Sequence, residues 1–255
     1  MYYGVNDVLI FILGLIVGSF SNVCIYRIPK NESIVYPASH CPKCRSKIKP
    51  VDNIPLLSYI LLKGRCRNCK SKISIQYPIV EFLSGLIYLI IYLTYGLSIQ
   101  SLIYIILSSA LIIIAFIDLN EQIVPWVISL PGIVLGFILS FFVPYISFVN
   151  SALGIVVGGG IILSIRLAGS VIFKKEAMGM GDIELAAMIG AFLGWRYITI
   201  SLFLGFFLGA LAGIILIMSK IKSREDAVPF GPFIVLGSFI TLLWGEKIIS
   251  WYLGF

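Results

Sequence analysis

Charge and histidine are both scarce in this chain. Only 12% of its 255 residues are charged, and its one histidine is His40. A soluble domain carries about 25% charged residues. Half that density leaves too little polar surface to hold a globule in water, so lipid is the solvent for most of the chain. The lone histidine narrows the chemistry as well. A Ser-His-Asp or Cys-His mechanism would have to run through His40, which stands beside Cys41 in a cysteine-rich loop. No basic segment precedes the first apolar stretch, so that stretch reads as a retained helix rather than a signal peptide. Heptads and low-complexity tracts are also absent.

What is present is apolar. Hydrophobic residues make up 59% of the chain, and its mean hydropathy is +1.03. Apolar stretches over 8–26, 79–95, 102–117, 126–143, 152–167, 183–195, 197–218 and 233–249 predict eight transmembrane helices. The expected fold is an all-α polytopic membrane protein with a small four-cysteine insert. Residues 1–26 form the first helix, 27–77 the insert and 78–255 a multi-helix membrane body. The glycines Gly158, Gly159 and Gly160 fall inside an apolar stretch, where small residues let helices approach closely.

The net charge of +7 raises nucleic acid as a partner, but the placement of the charge argues against it. Of the 19 Lys and Arg residues, 11 lie between Arg27 and Lys72. If the first helix runs from outside to inside, the loops holding those residues, Arg166 with Lys174 and Lys175, and Lys220 with Lys222 and Arg224 all face the cytosol. That is 17 of the 19, with only Arg196 and Lys247 outside. The positive-inside bias therefore explains the charge without nucleic acid.

Cys41-Pro-Lys-Cys44 and Cys66-Arg-Asn-Cys69 are two CxxC pairs separated by 21 residues, just beyond the usual four-cysteine zinc window. Each pair can grip a metal from a tight turn, and two pairs complete a tetrahedron of thiolates. So short a segment has little core of its own, and a metal would supply its folding energy. The alternative is two disulfides, which a cytosolic location disfavours. Four thiolates leave no open position for water, so the zinc would be structural. Cys24 stands alone in the first helix and packs there.

Two of the 12 acidic residues lack an ordinary loop explanation. Asp118 ends the apolar run from Ile112 to Ile117, and Asp182 follows Gly179-Met180-Gly181. Both fall at cytosolic helix ends in the derived orientation, so they can meet at one depth. Two carboxylates in contact do not both ionise cheaply, so one keeps a proton. The ionised partner takes a proton from water while the protonated one polarises a peptide carbonyl. The glycines before Asp182 are expected to let a substrate backbone come close. The competing reading is helix capping, which suits Asp182 at a helix start but not Asp118 at a helix end, where the dipole opposes it.

Six ordered blocks resemble the type 4 prepilin peptidases. Gly18-Ser19-Phe20-Ser21-Asn22-Val23-Cys24-Ile25-Tyr26-Arg27-Ile28-Pro29 looks like that family's first helix and its exit. Asp52-Asn53-Ile54-Pro55-Leu56-Leu57-Ser58-Tyr59 lies between the CxxC pairs, and Tyr77-Pro78-Ile79-Val80-Glu81 opens the next helix. Gly179-Met180-Gly181-Asp182 matches the catalytic motif, and the Asp118 segment is similar to the other catalytic site. Val228-Pro229-Phe230-Gly231-Pro232-Phe233 completes the pattern.

The resemblance implies an aspartic endopeptidase of the bacterial cytoplasmic membrane, with Asp118 and Asp182 catalytic. Such an enzyme cleaves a short basic leader after a glycine of prepilins or pseudopilins at the cytosolic face. The mature pilin helix stays in the bilayer. Many members then methylate the new N-terminal amine from S-adenosylmethionine. No glycine-rich cofactor loop stands out for that donor, and Glu81 near the membrane surface is the candidate. Acidic groups such as Glu121, Glu225 and Asp226 are candidates for meeting the basic leader. Two positions depart from the family: Glu184 stands where a lysine is usual, and Trp126 follows Val124-Pro125 where an acidic residue is common. Competing readings are a presenilin-type GxGD protease, which lacks the cysteine insert, and a transporter, channel or anchor bearing a zinc loop. Hydropathy shows no inverted repeat to favour a transporter.

Overall fold

The computed structural model describes residues 4–143, 145–173, 178–221 and 228–253. Lys174, Lys175, Lys222, Arg224, Glu225 and Asp226, which enter the orientation and leader arguments, lie outside the described residues. The helices are α1 (Val5–Arg27), α2 (Leu57–Leu61), α3 (Gln76–Tyr95), α4 (Ile99–Glu121), α5 (Trp126–Leu139), α6 (Phe148–Phe173), α7 (Met180–Met218) and α8 (Gly231–Leu253). Among the described residues no strand occurs, only two isolated bridges in the insert. Helices satisfy every backbone group within one segment, which is what a hydrocarbon solvent demands.

Seven of the eight expected apolar stretches lie within helices, while 126–143 is helical only to Leu139, where α5 ends in a turn; most of the other helices run a turn beyond the apolar residues at one or both ends. Six helices, α1, α3, α4, α6, α7 and α8, are long and apolar enough to cross a membrane, and α5 is a shorter apolar helix. The stretches 183–195 and 197–218 join within α7, whose 39 residues would span about 58 Å if straight, twice a bilayer's hydrocarbon core. The helix is not straight. Gly194 has φ 81° and ψ 171°, which breaks the helical path. A Cβ built on Gly158 would meet both the Ala186 carbonyl oxygen, at 2.5 Å, and Ile198 Cγ1, at 2.9 Å. In a straight helix residues 186 and 198 stand about 18 Å apart. The chain therefore reverses at Gly194, and α7 is two antiparallel arms.

The chain divides between Ile113 and Ile114 into two compact units. In the first, α1 packs on α3 through small residues. A Cβ on Gly14 would lie 2.6 Å from Gly85 Cα, and one on Gly18 would lie 2.7 Å from Glu81 Cα. Cys24 is buried, as expected of a packing residue. Arg27, at the end of α1, is buried and donates to the carbonyls of Ser33 (2.9 Å) and Pro37 (2.7 Å), which fixes the entry to the insert.

In the second unit α6 crosses α7 where Gly154 and Gly190 meet backbone to backbone. Of the three consecutive glycines only Gly158 serves close packing. Nothing would crowd a Cβ on Gly160 within 4 Å. The second arm of α7 packs on α8, with Gly205 against Ile234 and Gly237 against Ser201.

Candidate active site and metal centre

Asp118 sits one turn before the end of α4 and is 5% exposed. Gln122 ends that helix in the left-handed conformation (φ 56°), its N–H donating to the Asp118 carbonyl at 2.9 Å. The Asp118 side chain turns to a different helix. Its Oδ2 accepts the Gly231 N–H, at the start of α8, at 2.9 Å. The expectation that capping fits Asp118 poorly is thus corrected: it opposes its own helix dipole but caps α8, 113 residues away. A Cβ on Gly231 would lie 2.6 Å from this oxygen, which explains why glycine opens α8.

Asp182 is 9% exposed, in the first turn of α7, and its Oδ2 accepts the Gly179 N–H at 3.2 Å. The two carboxylates lie close enough for the charge of Asp118 to bear on Asp182. The connection is visible in the packing, because Val124 of the loop after α4 fills the space beside Gly181, 2.5 Å from a Cβ built there. That corrects part of the glycine reading. Gly181 is needed for the Val124 contact, whereas beside Gly179 a Cβ would meet only Asp182 Oδ2 (3.5 Å) and Gly181 N (3.9 Å). Both carboxylates are thereby held on helix N-termini by a backbone N–H. Positive helix ends offset part of the cost of placing negative charge among apolar side chains.

The departing residues have their own places. Glu184 Oε2 accepts from the Ser129 hydroxyl, which is fully buried on α5. Trp126, at the start of α5, and Glu121, at the end of α4, are exposed.

The four cysteines of the insert come together. Their sulfurs all lie within 4.8 Å of one another, with Cys41 to Cys69 at 3.8 Å and Cys44 to Cys66 at 4.0 Å. A tetrahedron of sulfurs at a zinc–sulfur length of 2.3 Å has edges of about 3.8 Å, so the four thiols fit such an ion. All five cysteines are free, so the disulfide alternative finds no support.

Two equivalent turns build the cluster. Cys41 N–H donates to Ser46 O and Arg45 N–H to Cys41 O; twenty-five residues on, Cys66 N–H donates to Ser71 O and Lys70 N–H to Cys66 O. Arg45 and Lys70 are both left-handed, and His40–Lys47 and Arg65–Lys72 close the two turns as bridges. His40 stays apart from the cluster and bonds the Ala38 carbonyl at 3.0 Å.

Ser46 Oγ lies 3.0 Å from Cys44 Sγ, and Ser71 Oγ 3.1 Å from Cys69 Sγ. The hydroxyl of Ser71, then its backbone N–H, holds the Cys69 thiol down at about 6. The backbone N–H of Cys44 holds Cys41 below the ordinary thiol range against the effect of burial. Cys66 goes the other way. Backbone N–H groups of Cys69 and Asn68 favour its thiolate, but burial and the neighbouring Cys41 and Cys69 outweigh them. Asp52, between the pairs, takes a two-pronged bond from Arg67 at 2.6 and 2.7 Å, which fastens the second turn to the loop before α2.

Sequence reasoning gave no role to Gly231, which it named only within a family block, and missed Ser129 and the two serines at the thiols. The serines had a signal, a repeated Cys-x-x-Cys-(Arg or Lys)-Ser-Lys at Cys41–Lys47 and Cys66–Lys72.

Comparison with known proteins places these features in context. Residues 12–95 match the family model described as a bacterial peptidase A24 N-terminal domain, and residues 105–214 match the type IV leader peptidase family. A Pseudomonas putida protein named prepilin leader peptidase/N-methyltransferase is 34% identical over 94% of this chain and 91% of its own length. An Aeromonas hydrophila protein of the same name is 34% identical over 96% of this chain and 93% of its own. A Myxococcus xanthus protein, also so named, is 40% identical over 86% of this chain and 65% of its own. No solved structure matches the chain.

Proposed function

The chain belongs to the type IV leader peptidase family, and from that premise we propose that it cleaves the leader of prepilins or pseudopilins with Asp118 and Asp182 and then methylates the new N-terminus. The observation that carries the cleavage is the pair of buried carboxylates, each held on a helix N-terminus by one backbone N–H. The pair shares a proton. The ionised carboxylate takes a proton from water, and the resulting nucleophile attacks the scissile carbonyl. The protonated partner donates to that carbonyl oxygen, and as the tetrahedral centre collapses the carboxyl that took water's proton gives it to the departing amine while its partner recovers a proton from the collapsing diol. No histidine or metal takes part. Glu121, exposed three residues past Asp118, is the acidic group to which we assign the basic leader.

In this reading residues 27–77 are one insert organised by a structural zinc on Cys41, Cys44, Cys66 and Cys69, and residues 78–255 are the protease body. The insert and both carboxylates face the cytosol, supported by the placement of 17 of the 19 basic residues. S-adenosylmethionine supplies the methyl group as a sulfonium.

Sealed vesicles test the cleavage and its face together. In inside-out vesicles carrying the protein and a membrane-inserted prepilin, the leader should be released to the medium. In right-side-out vesicles it should stay in the lumen. Release in the opposite vesicles would reverse the orientation, and no release in either would end the proposal.

A further inference from the structure

Three polar side chains of the first unit are buried where α1 meets α3, and they serve neither the thiols nor the carboxylate pair. They are Asn22 (3% exposed), Glu81 (7%) and Ser84 (1%). Gly18 links them. A Cβ on Gly18 would lie 2.9 Å from Ser84 Oγ and 2.7 Å from Glu81 Cα, and its carbonyl accepts from Asn22 Nδ2 at 3.3 Å. The Asn22 amide also donates to the Tyr77 carbonyl at 3.0 Å, which occupies its donor end. Its Oδ1 and the Ser84 Oγ are buried without a hydrogen-bond partner. Buried polar atoms are normally paired, so two orphans around one glycine mark a place where a donor group belongs.

Glu81 adds a carboxylate. Its Oε2 accepts the Leu56 N–H at 2.8 Å. Leu56 has φ 59° and ψ −50°, a conformation that side chains disfavour and that is characteristically retained at ligand clamps. Ser19 on α1 also meets this carboxylate. A purely structural role, Glu81 pinning the loop before α2, accounts for one oxygen and the strained leucine. It leaves Asn22 Oδ1 and Ser84 Oγ unexplained. Three acceptors, one of them anionic, suit a primary ammonium, which has three N–H donors and no acceptor. Cleavage of a prepilin makes one, the α-ammonium of the mature chain.

We propose that Asn22, Glu81 and Ser84 form the subsite that receives the α-ammonium of the cleaved pilin for methyl transfer, an inference that rests on the methylation reading above. The ammonium gives one proton to the Glu81 carboxylate and so exposes its lone pair. The sulfonium donor supplies the methyl group: the N–C bond forms from that lone pair, the C–S bond leaves its electrons on sulfur, and the proton passes from Glu81 to water.

Glu81→Gln is the discriminating variant, because its amide oxygen still accepts from Leu56 while the charge and the base are gone. Without any methyl donor, the wild type should bind a mature pilin with a free N-terminus at least about tenfold more tightly than the same pilin N-acetylated. Glu81→Gln should erase that preference. With donor and pre-cleaved pilin, methyl transfer by Glu81→Gln should fall at least about a hundredfold at neutral pH. It should recover as pH rises past about 8, where the α-amine deprotonates unaided. Prepilin cleavage, which runs at Asp118 and Asp182, should continue.

If Glu81→Gln does not insert, Ser84→Ala decides. It leaves the Leu56 bond intact and should cut the free-amine preference about threefold or more. No preference in the wild type, or an unchanged preference in either variant, overturns the subsite. A wild type that methylates no pilin ends the methylation reading itself, while the donor-free binding still decides whether this cluster takes an ammonium.

Discussion

Asp118→Asn and Asp182→Asn should each insert normally yet cleave prepilin at least about a thousandfold more slowly, the order expected for losing a general acid–base pair. The asparagine oxygen can still accept the Gly231 or Gly179 N–H, so the cap and the fold are kept. What is lost is a carboxylate that can hold or release a proton. The two groups act as one unit, so the double variant should be no worse than either single one. The wild-type rate should depend on two apparent pKa values that belong to the pair rather than to either residue. Methyl transfer to a pre-cleaved pilin should survive both changes, because it does not use water activation. Wild-type cleavage by both variants would show that the capping bonds are the whole role of these aspartates.

Replacing Cys41, Cys44, Cys66 and Cys69 together by serine should abolish metal binding and unfold the insert. The wild type should carry about one zinc per chain, since four thiolates complete one tetrahedral site. A structural zinc in so small a module supplies an apparent 10–16 kcal/mol, about the order of a whole domain's stability. The expected readouts are loss of zinc by elemental analysis and rapid proteolysis between residues 27 and 77, with the membrane helices still protected. Removing the Ser46 and Ser71 hydroxyls should be milder, lowering metal affinity about tenfold, as loss of a ligand's supporting hydrogen bond does. Full metal content in the quadruple variant would contradict the assignment.

The features that depend on local composition were legible in the sequence. Apolar runs marked all eight helical stretches, and the break around Arg196 anticipated the reversal at Gly194 two residues earlier. The outer turns of the helices were not legible, because polar flanking residues continue the backbone hydrogen bonding without a hydropathy signal. Asp118 and Asp182 stood out as acidic residues bordering apolar runs. Which helix each one caps did not, because the bond from Gly231 to Asp118 spans 113 positions. Phe230-Gly231-Pro232 carried a hint, since glycine followed by proline is a helix-start signal.

The glycines before Asp182 were read as room for substrate. Only the fold reveals that Val124 already fills the space beside Gly181. Glu184 stood out as a departure from the lysine usual in the family, and its bond to Ser129 on α5 appears only once the helices are packed. The orphaned Asn22 and Ser84 belong to the same category, because sequence does not show which buried polar atoms find partners.

The most direct test of the central claim is the mass of a pilin N-terminus after purified protein, prepilin and S-adenosylmethionine are incubated together in detergent or lipid. The account predicts cleavage at one bond after the leader glycine and one added methyl group on the new amine. The same mixture with Asp182→Asn should leave the prepilin whole. Intact prepilin with the wild-type protein, or equal cleavage by the Asp182→Asn variant, would contradict it.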